Sequence, residues 1–263
     1  RSVFDSESMT SLQIEEKIQE LAKLQDEYFT INFDLLRKIQ PDLIISQGIC
    51  DVCSPHNREM DKVVRFLGYQ LDTLTLDPHT VEDVVQNIVD VAKSVGKEDE
   101  GLQIKTSLQD RIEHIASTNK DENPKVICLE WLDPFYIAGH WVPQMVELAG
   151  GINGISNTGE RSRKIEFSQI SHFDPDIVIL LPCGFTVDRV LSEYVSLKRN
   201  EDWNSLRAVQ SDMVFAVDAM SYFSRPSPRV ITGIEILAKI FNPKSFANLG
   251  VPEKSHSRLM NDV

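Results

Sequence analysis

The chain has 263 residues, 41% of them hydrophobic and 25% charged, which is the balance of a soluble globular protein with one large domain or two smaller lobes. Forty Asp and Glu against 27 Lys and Arg give a formal net charge of −13, so nucleic acid and anionic lipid are not expected as partners. No apolar run approaches the roughly 18 to 20 residues that span a bilayer, and no transmembrane segment is predicted.

Predicted helices and strands alternate through residues 1–99. Apolar residues recur at helical spacing in the longer polar segments, while the strands are short, apolar and β-branched. In chain order these patterns predict helices over 11–24 and 33–39, a strand over 42–46, a helix that begins at Ser54-Pro55, a strand over 71–76, and a helix capped by Thr80. The first part is therefore an N-terminal α/β lobe.

A highly charged helix is predicted over residues 101–117, and it suggests a linker over 100–119 between the first lobe and a second one over 120–242. The second lobe is predicted to contain strands over 126–129, 177–181 and 214–217 and helices over 142–149, 187–197 and 230–241. The last residues, 243–263, are read as a polar tail.

The fold class predicted is α/β, because strands that alternate with helices form parallel sheets with helices on their faces. Two Rossmann-like lobes joined by one long helix would leave a ligand cleft between them. Ligands of open α/β sheets collect outside the carboxyl ends of the strands, so the segments after the predicted strands are the candidate sites.

Aromatic residues are concentrated in residues 130–143, just after the first strand of the second lobe. Trp131, Phe135, His140 and Trp141 are the candidate ligand-binding residues of this segment. We expect rings to line the cleft, with ordinary packing beneath a loop as the alternative. His140 could also reach a metal in the ligand, although a lone histidine in such a loop is more often a hydrogen-bonded structural group.

A second aromatic segment, residues 218–229, follows the last predicted strand. Two prolines stiffen it, and Tyr222, Phe223 and Arg225 offer flat faces and a guanidinium that suit a large planar ligand. Arg229 is expected to anchor the start of the following helix.

A third candidate segment for lining the ligand cleft is Pro182-Cys183-Gly184-Phe185, in which the ring of Phe185 could form one wall of the cleft. Gly184 there permits close approach of a ligand or of another backbone segment.

Several motifs in this order resemble the cobalamin-binding branch of the iron-chelate and cobalamin substrate-binding proteins of ABC importers. The resemblance extends over about residues 40 to 242. The motifs are Asp42-Leu43-Ile44, Glu130-Trp131-Leu132-Asp133-Pro134, Gly139-His140-Trp141-Val142-Pro143, Leu148-Ala149-Gly150-Gly151, Asp174-Pro175-Asp176, Tyr222-Phe223-Ser224-Arg225-Pro226 and Pro228-Arg229.

This resemblance implies two lobes bridged by a helix, with cobalamin or a similar corrinoid or metal chelate held between them as ligand and with no catalytic cofactor. It implies a monomeric binding protein, not an enzyme, that works outside the cytoplasm with an ABC transporter permease as partner. Tyr222, Phe223 and Arg225 match the ligand-contacting loop of the family.

The resemblance also implies acidic docking residues for the permease. The nearest matches in the first lobe are Glu59 and Asp61, whereas the matching stretch of the second lobe, Ser168-Gln169-Ile170, has no acid. Family members open with a strand, a turn and a helix that this sequence does not show. We therefore expect an N-terminal lobe without its first βα unit. Either the gene product is longer than this chain, or the first lobe is incomplete and its sheet has an exposed edge.

Three alternatives stay open. Cys50-Asp51-Val52-Cys53 admits a redox pair, or a metal clip with His56, but plain packing is favoured. Glu130 and Asp133 could form an acid–base pair, but the simpler interpretation is that they fix the turn. No metal site is expected, because the histidines are scattered along the sequence. An intracellular, cytoplasmic carrier or sensor of corrinoid or haem with the same fold is the second functional hypothesis.

Overall fold

The computed structural model describes residues 2–6, 8–24, 28–49, 57–118 and 123–260, with only the backbone of 57–59. It divides into two compact units, Arg1–Pro78 and His79–Val263. This division falls earlier than the boundary expected near residue 99, so the helix capped by Thr80 and the long charged helix belong to the second unit. Cys50 and Cys53 lie outside the described residues.

The first unit pairs two parallel strands with helices. Its elements are α1 (Ser11–Leu24), α2 (Phe33–Ile39), β1 (Leu43–Gln47), α3 (Asn57–Leu67) and β2 (Asp72–Leu76). The register runs from Leu43 opposite Asp72 to Gln47 opposite Leu76. Within the described ranges this sheet has two strands. The predicted start of α3 at Ser54-Pro55 lies outside those ranges.

Local sequence accounts for the ends of α2. The side chain of Asn32 accepts a hydrogen bond from the Leu35 amide at 2.9 Å and so caps the first turn. Gln40 adopts the left-handed conformation at φ 50°, which ends the helix before Pro41. The ring of Phe33 lies 4.6 Å from that of Phe66, and this contact packs α2 against α3.

The second unit is a larger α/β structure. Its elements are α4 (Val81–Ser94), α5 (Glu98–Thr118), β3 (Lys125–Leu132), β4 (Phe135–Ile137), α6 (Val142–Leu148), β5 (Ile152–Asn153), β6 (Arg163–Lys164), α7 (Phe167–Phe173), β7 (Ile177–Leu180), α8 (Val187–Leu197), α9 (Glu201–Asn204), α10 (Arg207–Gln210), β8 (Val214–Val217), α11 (Ala219–Tyr222), α12 (Arg229–Phe241) and β9 (His256–Leu259). The α/β class predicted from the sequence is confirmed.

The sheet of the second unit is parallel at its centre and antiparallel at its margins. Its strand order is β6-β4-β3-β7-β8-β9, with β5 beside β3. β3, β7 and β8 run parallel, and every residue of β7 and β8 is buried. The expectation of a polar tail after residue 242 is wrong for β9, which pairs antiparallel with β8 from Leu259 opposite Val214 to His256 opposite Val217. Backbone pairing, which needs no apolar pattern, holds this strand in place.

The long helix α5 packs along the second unit. Gly101 allows α4 to approach, since a Cβ there would lie 2.6 Å from the Cβ of Ala92. Arg111 forms an ion pair with Glu235 of α12 at 2.6 Å and donates a hydrogen bond to the hydroxyl of Thr232 at 2.9 Å. Among the described helices, none combines the length and apolar character needed to cross a bilayer.

Candidate ligand-binding site

Three loops meet at one edge of the second unit's sheet, where β3, β7 and β8 end at their carboxyl termini. The Cys183 amide donates to the Glu130 carbonyl at 3.1 Å, and the Met220 amide donates to the Phe185 carbonyl at 3.0 Å. The Gly184 amide donates to the Ser224 hydroxyl at 3.0 Å. These hydrogen bonds link the three loops into one surface, called here the carboxyl edge.

The first aromatic segment is not a free loop, because β3 turns into β4 as a hairpin. Trp131 pairs with Tyr136, after an irregularity in the register between Leu129 and Trp131. Pairing in the hairpin fixes the backbone of Trp131, and this residue is partly exposed at the carboxyl edge.

Glu130 links the β3–β4 hairpin to Ser162 and, through it, to the segment that follows β4. Its carboxylate accepts a hydrogen bond from the Ser162 hydroxyl at 2.7 Å, and that hydroxyl accepts one from the Gly139 amide at 3.2 Å. This is the turn-fixing role that the sequence analysis preferred over an acid–base pair with Asp133. A carboxylate engaged in this way orders the loop that contains His140.

Gly139 and His140 are held against a neighbouring backbone segment. A Cβ at Gly139 would lie 2.6 Å from the Arg161 carbonyl carbon and closer still to atoms of Glu160 and Ser162. The His140 amide donates to the Glu160 carbonyl at 2.5 Å, and His140 itself is left-handed at φ 53°. Only glycine permits this approach, which explains the glycine before the histidine.

Three predicted ligand-contacting rings lie in the interior instead of at the surface. Trp141, Phe185 and Phe223 are 4%, 2% and 1% exposed. The indole nitrogen of Trp141 donates to the Phe223 carbonyl at 3.0 Å, which links the first aromatic segment to the second. Protein atoms cover these three rings, which support the carboxyl edge from beneath, as in the packing alternative, and their contact with a ligand stays a prediction.

The remaining candidates differ in how far they reach solvent. Tyr222 is partly exposed and Arg225 is exposed, on a turn that the Asp218 carboxylate caps by accepting from the Ser221 amide at 3.1 Å. Phe135 stacks on the buried ring of Trp203 with centroids 6.0 Å apart. Trp131, Tyr222 and Arg225 thus keep the accessibility that ligand contact requires.

Sequence reasoning missed Arg189 in the first turn of α8. Its guanidinium carbon lies 3.8 Å from the centroid of the Phe185 ring, and the edge-on ring of Trp131 lies 5.5 Å from the same ring. The signal that could have indicated this contact is the spacing of four residues between Phe185 and Arg189 at a helix start.

The two cysteines of this region have different surroundings. Cys128 is fully buried in β3, and burial, followed by the nearby charge of Glu130, raises the pKa of its thiol far above the usual range. It is therefore not a nucleophile. Cys183 is partly exposed at the carboxyl edge. Among the described residues, no group of three or more His, Cys, Asp or Glu side chains is arranged to hold a metal ion.

The predicted docking acids are described in part. Asp61 is exposed on α3, whereas the side chain of Glu59 lies outside the described residues. In the matching stretch of the second unit, Ser168 and Gln169 are exposed on α7 and Ile170 is buried.

An α/β unit whose aromatic loops are joined by hydrogen bonds at the carboxyl edge of its sheet has the form of a solute-binding protein. The chain belongs to the periplasmic binding protein family, whose model matches residues 8–220. Proteins of this family bind solutes and are not enzymes, in agreement with the sequence analysis.

Three similar proteins illustrate the relationship. A vitamin B12-binding protein of Vibrio cholerae is 23% identical over 211 residues, which cover 78% of this chain and 70% of that protein. A high-affinity heme uptake system protein of Staphylococcus aureus is 20% identical over 198 residues, which cover 73% of this chain and 64% of that protein. The solved structure of an ABC transporter substrate-binding protein from Listeria monocytogenes has a TM-score of 0.69 at 16% identity and covers 81% of each chain. At these identities the likeness establishes the shared fold.

Proposed function

We propose that this protein captures a metal chelate of the tetrapyrrole class, with cobalamin or a related corrinoid as the first candidate, for an ABC importer. The observation that carries the proposal is the carboxyl edge, which includes the partly exposed residues Trp131 and Tyr222 together with the exposed residue Arg225. Flat rings pack on a flat macrocycle, and a guanidinium pairs with polar groups at its periphery.

Rigid loops favour this kind of binding. The hydrogen bond from Trp141 to the Phe223 carbonyl and that from Gly184 to Ser224 hold the loops before a ligand arrives. Less conformational freedom is then lost on association, so more of the contact energy appears as affinity.

The names of two relatives support the tetrapyrrole class, since one binds vitamin B12 and the other takes part in heme uptake. Haem is the second candidate ligand. The loop of Gly139 and His140 supplies an imidazole, which is a common axial ligand of haem iron.

Transport and location follow from the same relationship. We propose that the protein works outside the cytoplasm as a monomer and meets its permease through acidic residues that include Asp61 and Glu59. The intracellular carrier has less support, because the similar proteins are described as uptake-system and ABC transporter proteins.

Calorimetric titration with cyanocobalamin, cobinamide and haemin tests the proposal. We expect at least one of them to bind with a Kd on the order of micromolar or tighter. Tyr222→Ala should weaken that binding by about 1–3 kcal/mol through loss of a ring contact, whereas Tyr222→Phe, which keeps the ring, should not. Absence of heat with all three ligands at tens of micromolar would rule out the tetrapyrrole class.

A further inference from the structure

The edge strand β9 is tied to the start of the second aromatic segment. Among the described strands β9 pairs with β8 alone, and His256 lies opposite Val217 at the carboxyl end of β8. The Ser255 carbonyl, one residue earlier, accepts a hydrogen bond from the Asp218 amide at 2.9 Å. The Asp218 carboxylate accepts one from the Ser221 amide at 3.1 Å and caps α11. The start of β9 therefore holds the first turn of that segment at the carboxyl edge.

His256 occupies a site that favours the neutral imidazole over the imidazolium. Its Nδ1 atom lies 3.2 Å from the Ser255 hydroxyl, and the residue is partly buried. Burial, followed by the positive charge of Lys239 on α12, lowers the pKa of its imidazole below the ordinary value of about 6.5. The adjoining charged groups are engaged elsewhere: Asp218 caps α11, and Arg258 of β9 donates to backbone carbonyls before β8. Protonation of His256 thus opposes the closed arrangement of β9.

The start of β9 is a place where the chain can open. β9 has four residues and lies at the edge of the sheet, and Glu253 and Lys254 before it are exposed. Lys254 is left-handed at φ 60°, a conformation that residues other than glycine seldom adopt. Short edge segments of this kind open locally without global unfolding.

Protonation and opening are linked. In the open form water surrounds the imidazole of His256, so the open form takes up a proton at a higher pH than the closed form. The closed form therefore loses stability relative to the open form as the pH falls below about 6.5, and keeps it fully above that value.

We propose that His256 is a pH switch, in which proton uptake by its imidazole releases the start of β9 and loosens the turn from Asp218 to Arg225. Tyr222 and Arg225 of this turn are the proposed ligand contacts. The surface is then ordered at neutral pH and loosened in acid, which favours release of the chelate there. The release of β9 stands without the proposed function; only its effect on the chelate rests on that function.

Hydrogen exchange read by mass spectrometry on the full chain tests the switch without any ligand. The proteins are the wild type, His256→Gln and the matched control His172→Gln, since His172 is exposed on α7. In the wild type and the control, the protection factors of residues 218–225 and 255–259, corrected for the intrinsic effect of pH, should fall about three- to tenfold between about pH 7.5 and about pH 5.5. In His256→Gln, which has no imidazole to protonate, they should fall less than about twofold. Lys239→Met removes the neighbouring positive charge and should show a smaller fall than the wild type.

The outcomes separate the switch from the proposed function. An equal fall in the wild type and in His256→Gln, or no fall in the wild type, overturns the switch. If the glutamine variant does not fold by near-ultraviolet circular dichroism, an NMR titration of the wild type decides: a His256 pKa at or above the ordinary value overturns the switch, and a lower one supports it. Calorimetry with any chelate that binds at about pH 7.5 should show about twofold or more additional loss of affinity at about pH 5.5 in the wild type than in His256→Gln. Equal losses overturn the link to the ligand surface. If none of the chelates binds, the proposed function fails and the exchange measurement still decides the switch.

Discussion

Replacement of Gly139 by alanine should disrupt the loop that supports the carboxyl edge. The new methyl group would lie closer than 3.0 Å to backbone atoms of Glu160, Arg161 and Ser162, a separation that Cβ atoms do not tolerate. No side chain can rotate to relieve this clash, so one backbone segment must move by about 1 Å. That movement stretches the hydrogen bonds from Gly139 to the Ser162 hydroxyl and from His140 to the Glu160 carbonyl.

The expected cost is about 3–5 kcal/mol of unfolding free energy, from overpacking of about 1–3 kcal/mol together with two weakened hydrogen bonds of about 1 kcal/mol each. Urea unfolding followed by far-ultraviolet circular dichroism measures it. Gly250→Ala is the matched control: Gly250 is exposed, and a Cβ there meets nothing within 4 Å. Its change should stay below about 1 kcal/mol. Equal unfolding free energies for the two variants would refute the close approach at Gly139.

Three further predictions concern the second unit. Trp141→Phe leaves the Phe223 carbonyl without its indole donor, and should lower the unfolding free energy by about 1–3 kcal/mol in the same urea assay; an unchanged value would contradict the interior link. Arg225→Ala should weaken ligand binding by about 1–3 kcal/mol in calorimetry with little loss of stability, because Arg225 is exposed; equal affinity would assign it no ligand contact. Burial, followed by the charge of Lys239, lowers the pKa of His256, so the unfolded chain takes up the proton first as the pH falls. This contribution to stability is complete above the unfolded pKa of about 6.5 and declines below it, and His256→Gln should reduce the difference in urea midpoint between about pH 7.5 and about pH 5.5. The same difference in both proteins would exclude His256 as its source.

The longer elements of the second unit follow from the sequence because their apolar pattern matches their burial. α8 runs from Val187 to Leu197 as predicted, and the four apolar residues of β8 form a buried strand. The short strands β4 and β9 were missed. β4 pairs with the preceding strand β3 in a hairpin, and β9 pairs with the distant strand β8. Strands of three and four residues held by backbone hydrogen bonds are too short to show a sequence period.

The sequence located the ligand-binding candidates at strand ends but did not reveal which rings are exposed. Trp131 and Trp141 have the same residue type in the same segment, yet one is partly exposed and the other is buried with its nitrogen bonded to a carbonyl 82 positions away. That difference is set by tertiary contacts, which composition and spacing do not encode. The packing of Gly139 on the backbone of residues 160–162 is equally long-range.

A crystal structure of the protein with the chelate that binds it most tightly is the most direct test of the proposed binding surface. We expect the macrocycle to lie in van der Waals contact with Trp131 and Tyr222, with a polar or anionic substituent directed at Arg225. A chelate bound elsewhere, with Trp131 and Tyr222 both out of contact, would contradict the assignment of the carboxyl edge as the binding site.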